Sequence, residues 1–195
     1  MTDRPRSASR SRPHAEIAIE LAEPCPRWRA ALARRRALCV TAVEAAIALA
    51  KPRLKRQAEV SLVLADDALV RRLNSTYRRK NAATNVLSFP ALTAVERARA
   101  AAASKGLRPA PLGDVVAAFE TSRREASALA KPLADHLSHL IVHGTLHLLG
   151  YDHEAARDAA HMERLERRVL ASLGVPDPYG ARRARAGRGK GVRDG

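Results

Sequence analysis

His143-Gly-Thr-Leu-His147-Leu-Leu-Gly150-Tyr-Asp-His153 organises the reading of this 195-residue chain. On a helix, His143 and His147 stand four residues apart and so project from one face, a turn from each other. Gly150 supplies the unusual backbone that can stop such a helix and turn the chain. That turn can return His153 to the same point in space. Three neutral imidazoles with water as the fourth ligand make an open zinc site, whereas a structural site is more often closed by four protein ligands. The stretch predicts a metal-dependent hydrolase whose site lies at the end of a helix in the C-terminal half.

A lone histidine in an apolar helix is more often a core residue than a ligand. Three at H-x3-H-x5-H, with a glycine between the second and third, are not explained that way. His139 lies one turn before His143 on the same face, and His136 three residues further back. Each is a candidate to support a ligand, to replace one, or to face solvent. His161 falls in a charged stretch and is expected on the surface. The spacing H-x-x-x-H-x-x-G-x-x-H is shared with the metzincin metalloproteases, in which a glutamate after the first histidine takes the proton from zinc-bound water. Gly144 stands at that position here. The metal geometry is shared, but peptidase chemistry is not supported.

Working outward, Pro132 suits the opening of the metal helix, which reads on through Leu149. A last helix is expected from Ala155 to Leu173, stopped at Gly174 with Pro176 beyond. Upstream, residues 15–22 and 58–65 alternate as strands, and Asn85–Phe89 and 112–119 are short apolar strands. One helix is expected from Arg27 to Leu49. A second follows Asp66, its cap, with Leu69, Val70, Leu73 and Tyr77 on one side, and a third is capped by Thr121 or Ser122 and runs to Lys131. Residues 92–111, rich in Ala and Arg, read as a mobile surface insertion. The order predicts an α+β fold: a single domain over residues 15–180, with one small mixed sheet of about four strands packed with helices.

Formal net charge is +15, and residues 1–14 and 181–195 account for +8 of it. Both ends lack apolar periodicity and are expected to be disordered basic tails suited to a polyanion. Cys25 and Cys39 imply neither a disulfide framework nor a thiolate metal site, and Cys39 is expected in the core. No apolar run suggests a secretory signal or a membrane span, so a cytoplasmic protein is expected. Aromatic residues make up 3% of the chain, which supplies a base-stacking platform poorly. Core packing is the expected use of Tyr77, Phe89 and Tyr151.

Three blocks together resemble a known family. They are His143–His153 followed by Glu154; Leu73-Asn74-Ser-Thr-Tyr77-Arg78-Arg79-Lys80 with Thr84-Asn85-Val86-Leu87-Ser88-Phe89-Pro90; and Leu112-Gly113-Asp114-Val115-Val116. The end of the last helix, Leu173-Gly174-Val-Pro-Asp177-Pro178-Tyr179, agrees. Over residues 15–180 the chain resembles the YbeY family of bacterial rRNA maturation factors and endoribonucleases. The tails and the extra length near 92–111 fall outside the likeness. The resemblance implies one Zn2+ held by His143, His147 and His153, an RNA substrate, and a catalytic Arg78. A planar, permanently charged guanidinium suits phosphate oxygens.

The implied function is single-strand-acting, zinc-dependent cleavage in rRNA processing, including the 16S rRNA 3′ end, and in ribosome quality control. The implied partner is rRNA in the ribosomal small subunit, with no nucleotide cofactor and no membrane, and a monomer is expected. The rival reading is a non-catalytic, rRNA-binding assembly factor with a structural zinc. Metal-activated water or a ribose 2′-OH could attack the phosphorus, and no residue is clearly the general base. Asp152 and Glu154 could orient a histidine. Asp114 could serve the fold or a polar network, and Ser88 and Asn85 could line the cleft or hold the turn before Pro90.

Overall fold

A computed structural model describes residues 17–50, 58–93, 96, 110–153 and 155–180. The expected tails 1–14 and 181–195, most of the insertion expected at 92–111, and Glu154 lie outside the described residues. Within them, the chain order is β1 (Ile17–Ala22), α1 (Pro26–Ala31), α2 (Arg35–Ala50), β2 (Ala58–Ala65), α3 (Asp67–Arg78), β3 (Val86–Pro90), β4 (Ala110–Ala118), α4 (Phe119–Ala128), α5 (Leu133–Leu148) and α6 (Ala156–Ser172). The strands form one sheet in the order β1-β2-β4-β3. β1–β2 and β2–β4 are parallel, while β3 runs antiparallel to β4 on the edge. The fold is α+β around a mixed four-stranded sheet, as the pattern implied.

The two faces of the sheet follow from the strict alternation of β2. Ala58, Val60, Leu62 and Leu64 enter the larger core with Val115 and Ala117 of β4. That face is covered by α2, through Cys39, Val43 and Ile47, and by α5, through Leu137, Ile141 and Leu146. Each fully buried aliphatic side chain contributes roughly 1.5–3 kcal/mol. The opposite face is smaller: Ala65, Val116 and Leu87 pack beneath Val70 of α3. Helices on both faces of an edge strand make β3 the natural rim of a cleft.

Three boundaries differ from the sequence expectation. The helix expected from Arg27 to Leu49 is two, because Leu32 leaves helical geometry at φ −136° and ψ 97°. No Gly or Pro marks the break. It lets Trp28 bury completely and donate its indole N–H to the Ala65 carbonyl at 3.0 Å, while α2 turns its own stripe to the sheet. Arg35 closes the corner on Glu23, with Nε 2.7 Å from Oε1. β4 begins at Ala110, inside the expected insertion.

The third difference is α4, which starts at Phe119 rather than after Thr121 or Ser122. Thr121 and Ser122 lie inside it, both buried. The N-termini of α3 and α4 cap each other. The Asp67 carboxylate accepts the Thr121 N–H at 3.0 Å and its hydroxyl at 2.8 Å, and Glu120 accepts the Asp67 N–H at 2.9 Å. Such carboxylates satisfy otherwise orphaned donors and favour the positive ends of both helices. Asp66 caps α3 as expected, accepting from the Leu69 N–H at 2.8 Å.

α5 meets the sheet most closely at Gly144. A Cβ there would sit 2.6 Å from Val115 Cγ1 and 3.1 Å from Ser88 Oγ. A side chain there requires Val115 or the helix itself to shift, so the position disfavours the glutamate of a metzincin on steric grounds. Gly144→Ala gains about 1 kcal/mol of helix propensity but overpacks the contact by about 1–3 kcal/mol. We expect a net loss of about 1 kcal/mol in urea unfolding, and an unchanged or raised midpoint would show that Val115 yields freely.

Candidate metal centre

α5 carries His143 and His147 on the face beside β3, and Gly150 at φ 90° ends the helical run as its sequence position suggested. The turn brings His153 back. One ligand atom from each of the three histidines lies within 4.8 Å of the others. His143 Nε2 and His147 Nε2 stand 3.1 Å apart. A tetrahedral ion with bonds of about 2.0–2.1 Å spans roughly 3.3 Å between donors, so the set fits one such ion after small adjustments. His153 is exposed, and the side of the cluster away from the core opens into a cleft of about 650 Å³.

Across that cleft stands Arg78, the last residue of α3. Its Nη2 donates to the Ser88 carbonyl at 3.2 Å, so the guanidinium is carried around the β3 edge from the other face of the sheet. Ser88 and Asn85 also line the cleft. Asn85 does both things open to it. Its Oδ1 accepts the Val86 N–H at 2.7 Å, and its Nδ2 donates to Glu125 Oε2 at 2.8 Å. Glu125 Oε2 also meets His136 Nε2 at 3.1 Å, linking this turn to the start of α5.

The other candidates separate. Asp152 lines the cleft, and its Oδ1 accepts the His153 N–H at 2.7 Å, shaping the turn. Asp114 is exposed and is not among the cleft-lining residues; alternation puts it on the α3 face with Val116. His139 sits behind the cluster, its ring 6.2 Å from that of His143. Tyr77, expected in the core, is 68% exposed in the last turn of α3, where its ring stands beside Phe89 of the edge strand.

Sequence reasoning missed Glu166. This carboxylate of α6 is 1% exposed and lies 2.7 Å from His143 Nδ1. It also accepts a hydrogen bond from the Tyr179 hydroxyl. His139 Nε2 stands 3.7 Å away, close enough for charge but beyond a hydrogen bond. Burial alone would raise the Glu166 pKa, yet these histidines and Tyr179 hold it down to about 2. A charged Glu166 accepting from Nδ1 fixes the His143 tautomer and leaves Nε2 as the free donor atom. Burial and the same carboxylate raise the Tyr179 pKa, so its proton stays on the phenol. The i+23 separation from His143 hid the pair; its one signal was a Glu at a core-facing position, between Leu165 and Val169.

His147 is neutral at physiological pH: burial first, then the neighbouring imidazoles, lower its pKa from 6.5 to about 4. Burial also lowers that of His136, partly opposed by Glu125.

Two outcomes are expected. The unfolded chain takes up these protons at higher pH than the folded one. Chelator-treated protein should therefore lose stability as pH falls from 6.5 towards 4. The loss in urea unfolding at pH 5 relative to pH 7 should be on the order of 1 kcal/mol; a flat profile would count against buried neutral imidazoles. Glu166→Gln keeps the shape but removes the charge. Isothermal titration with Zn2+ should show roughly 10–100-fold weaker binding, and unchanged affinity would deny Glu166 its part in orienting His143.

Comparisons with known proteins place the whole chain rather than its individual site residues. The family model described as "Endoribonuclease YbeY" matches residues 31–174. The chain is 50% identical over 143 residues to an endoribonuclease YbeY of Rhodopseudomonas palustris (strain BisA53), covering 73% of this chain and 79% of that one. It is 49% identical over 166 residues to that of Paramagnetospirillum magneticum (strain AMB-1), covering 85% and 96%. The solution structure of TM1509 from Thermotoga maritima, 19% identical, has a similar fold, with a TM-score of 0.51 over 91% of this chain and 99% of that one. With its histidine cluster and arginine facing across one cleft, and with relatives at half identity, this chain belongs to the endoribonuclease YbeY family.

Proposed function

We propose that this chain is a metal-dependent endoribonuclease that cuts single-stranded ribosomal RNA, with His143, His147 and His153 as ligands of one Zn2+ and Arg78 as the catalytic cation. The observation that carries the reading is the placement of Arg78 against the three histidines across one open cleft, in a chain of this family. Three imidazoles with an open side suit zinc in a catalytic role. A divalent ion there supplies acidified water or polarises a phosphoryl oxygen.

The chain's own groups do the rest. Glu166 holds His143 in one orientation through Nδ1. Arg78 Nη2, braced on the Ser88 carbonyl, presents its remaining donors to a phosphate and balances the charge that develops on its oxygens. Asn85 and Ser88 floor the cleft where the scissile nucleotide lies. Asp152 is the carboxylate best placed beside the cleft to take a proton, from water or from the ribose 2′-OH. The net charge of +15 suits a polyanion; the polyanion in this reading is rRNA of the small subunit, with the 16S 3′ end and ribosome quality control in the cytoplasm as the setting.

The test is cleavage of a small-subunit rRNA fragment by zinc-loaded protein beside Arg78→Ala and His147→Ala, each first shown to be folded. Loss of one charged transition-state donor should lower kcat roughly 100- to 1,000-fold, and His147→Ala should abolish both turnover and tight zinc binding. Equal cutting by all three would place the nuclease elsewhere. Maturation of rRNA in cells that survives Arg78→Ala but not His147→Ala would favour an assembly factor that uses its metal for structure.

A further inference from the structure

Five of the six aromatic residues are built into the protein. Trp28 and Phe119 are buried, Phe89 and Tyr151 pack partly buried against the two cores, and Tyr179 bonds to Glu166. Tyr77 is the exception at 68% exposure. Its one ring contact among the described residues is Phe89, with centroids 5.3 Å apart and planes inclined at 63°. That contact orients the ring without covering it.

The surroundings are cationic. Between Ala68 and Thr93 the sequence holds no Asp or Glu, and Arg71, Arg72, Arg78, Arg79 and Lys80 are all exposed. The turn after α3 is firmly held: Arg79 takes the left-handed cap conformation at φ 55°, and buried Asn74 donates to the Ala82 carbonyl at 2.7 Å. Successive helical side chains diverge by about 100°. Arg78 therefore reaches the cleft at Ser88, while Tyr77 lies on the Phe89 side of the same strand. Asp114, the cross-strand partner of Phe89, puts a carboxylate on that side and disfavours a phosphate there.

We propose that Tyr77 is a nucleobase-stacking platform, seating an unpaired base of the RNA whose phosphate Arg78 engages. The inference rests on the RNA-cleaving reading above. A planar ring beside cations is how sequence-tolerant single-strand binders hold bases. A base in a duplex must first break its stack and its pair to reach this ring, at a cost of about a few kcal/mol, so the platform also favours single strands.

The experiment mixes the zinc-loaded full chain with a short single-stranded RNA bearing one 2-aminopurine, in a stopped-flow instrument that reads binding before turnover. The partner samples are Tyr77→Phe and Tyr77→Ala, an RNA abasic at the same position, and the matching duplex. Tyr77→Ala should weaken single-strand binding roughly 5- to 100-fold, the loss of one stacked base, and raise KM more than it lowers kcat. Tyr77→Phe should bind within about twofold of wild type because it keeps the π-face. On the abasic RNA, and on the duplex, Tyr77→Ala should change nothing. Equal single-strand binding by wild type and Tyr77→Ala overturns the platform. An equal loss on abasic RNA or duplex also overturns it. If the wild type binds no RNA at all, the endoribonuclease reading falls first, and the platform with it.

Discussion

The approach of α5 to the sheet at Gly144 controls everything downstream of it. With hydrogen in place of a side chain, the helix lies directly against Val115 and Ser88. One turn of that helix then carries His143 and His147 past the rim of β3. Were the helix held a methyl group further out, the imidazoles would retreat from the strand whose carbonyl braces Arg78. The missing Cβ at Gly144 thus helps to set how near the two histidines stand to β3. Position 144 is where a metzincin carries its base, so the constraint that builds this cleft also removes peptidase chemistry from it.

Around that contact the polar groups are arranged to keep charge where it is useful. Glu166 is buried and ionised because imidazoles and a phenol surround it, not because water does. A buried charge without partners would cost far more than the domain could spare. Its partners are the histidine that faces the cleft and a tyrosine from the last described turn, so the segment after α6 helps to hold the His143 ring. Glu125 plays a comparable part behind the cleft, joining Asn85 to His136.

Where a signal was local, the sequence was legible. β2 alternates between buried and half-buried from Ala58 to Leu64 and was read with its true ends, Ala58 and Ala65. The spacing of three histidines and a glycine implied a convergence that the fold produces. What was not legible depended on distant partners. Nothing near Leu32 announces a helix break, because the cause is the demand of Trp28 for the Ala65 carbonyl. Thr121 looked like a cap because it is a good capping residue, yet it lies inside α4 and donates to Asp67 at the start of α3. Glu166 carries no local signal of its role, because its burial and its His143 partner come from the packing of α6 on α5. Tyr77 fitted the apolar stripe of Val70 and Leu73, but periodicity does not say where the sheet beneath a helix stops.

The reciprocal capping of α3 and α4 has an evolutionary consequence. Asp67 and the Glu120–Thr121 pair each supply what the opposite helix lacks, so replacing one side alone leaves an orphaned donor on the other. Substitutions at these positions should be tolerated only in step, as a linked pair drifting together across relatives. Because α3 ends in Arg78 and α4 leads into α5, that pair joins the helices that lead to the two walls of the cleft. A signature of covariation far from the histidines would then record selection on the width of the cleft itself.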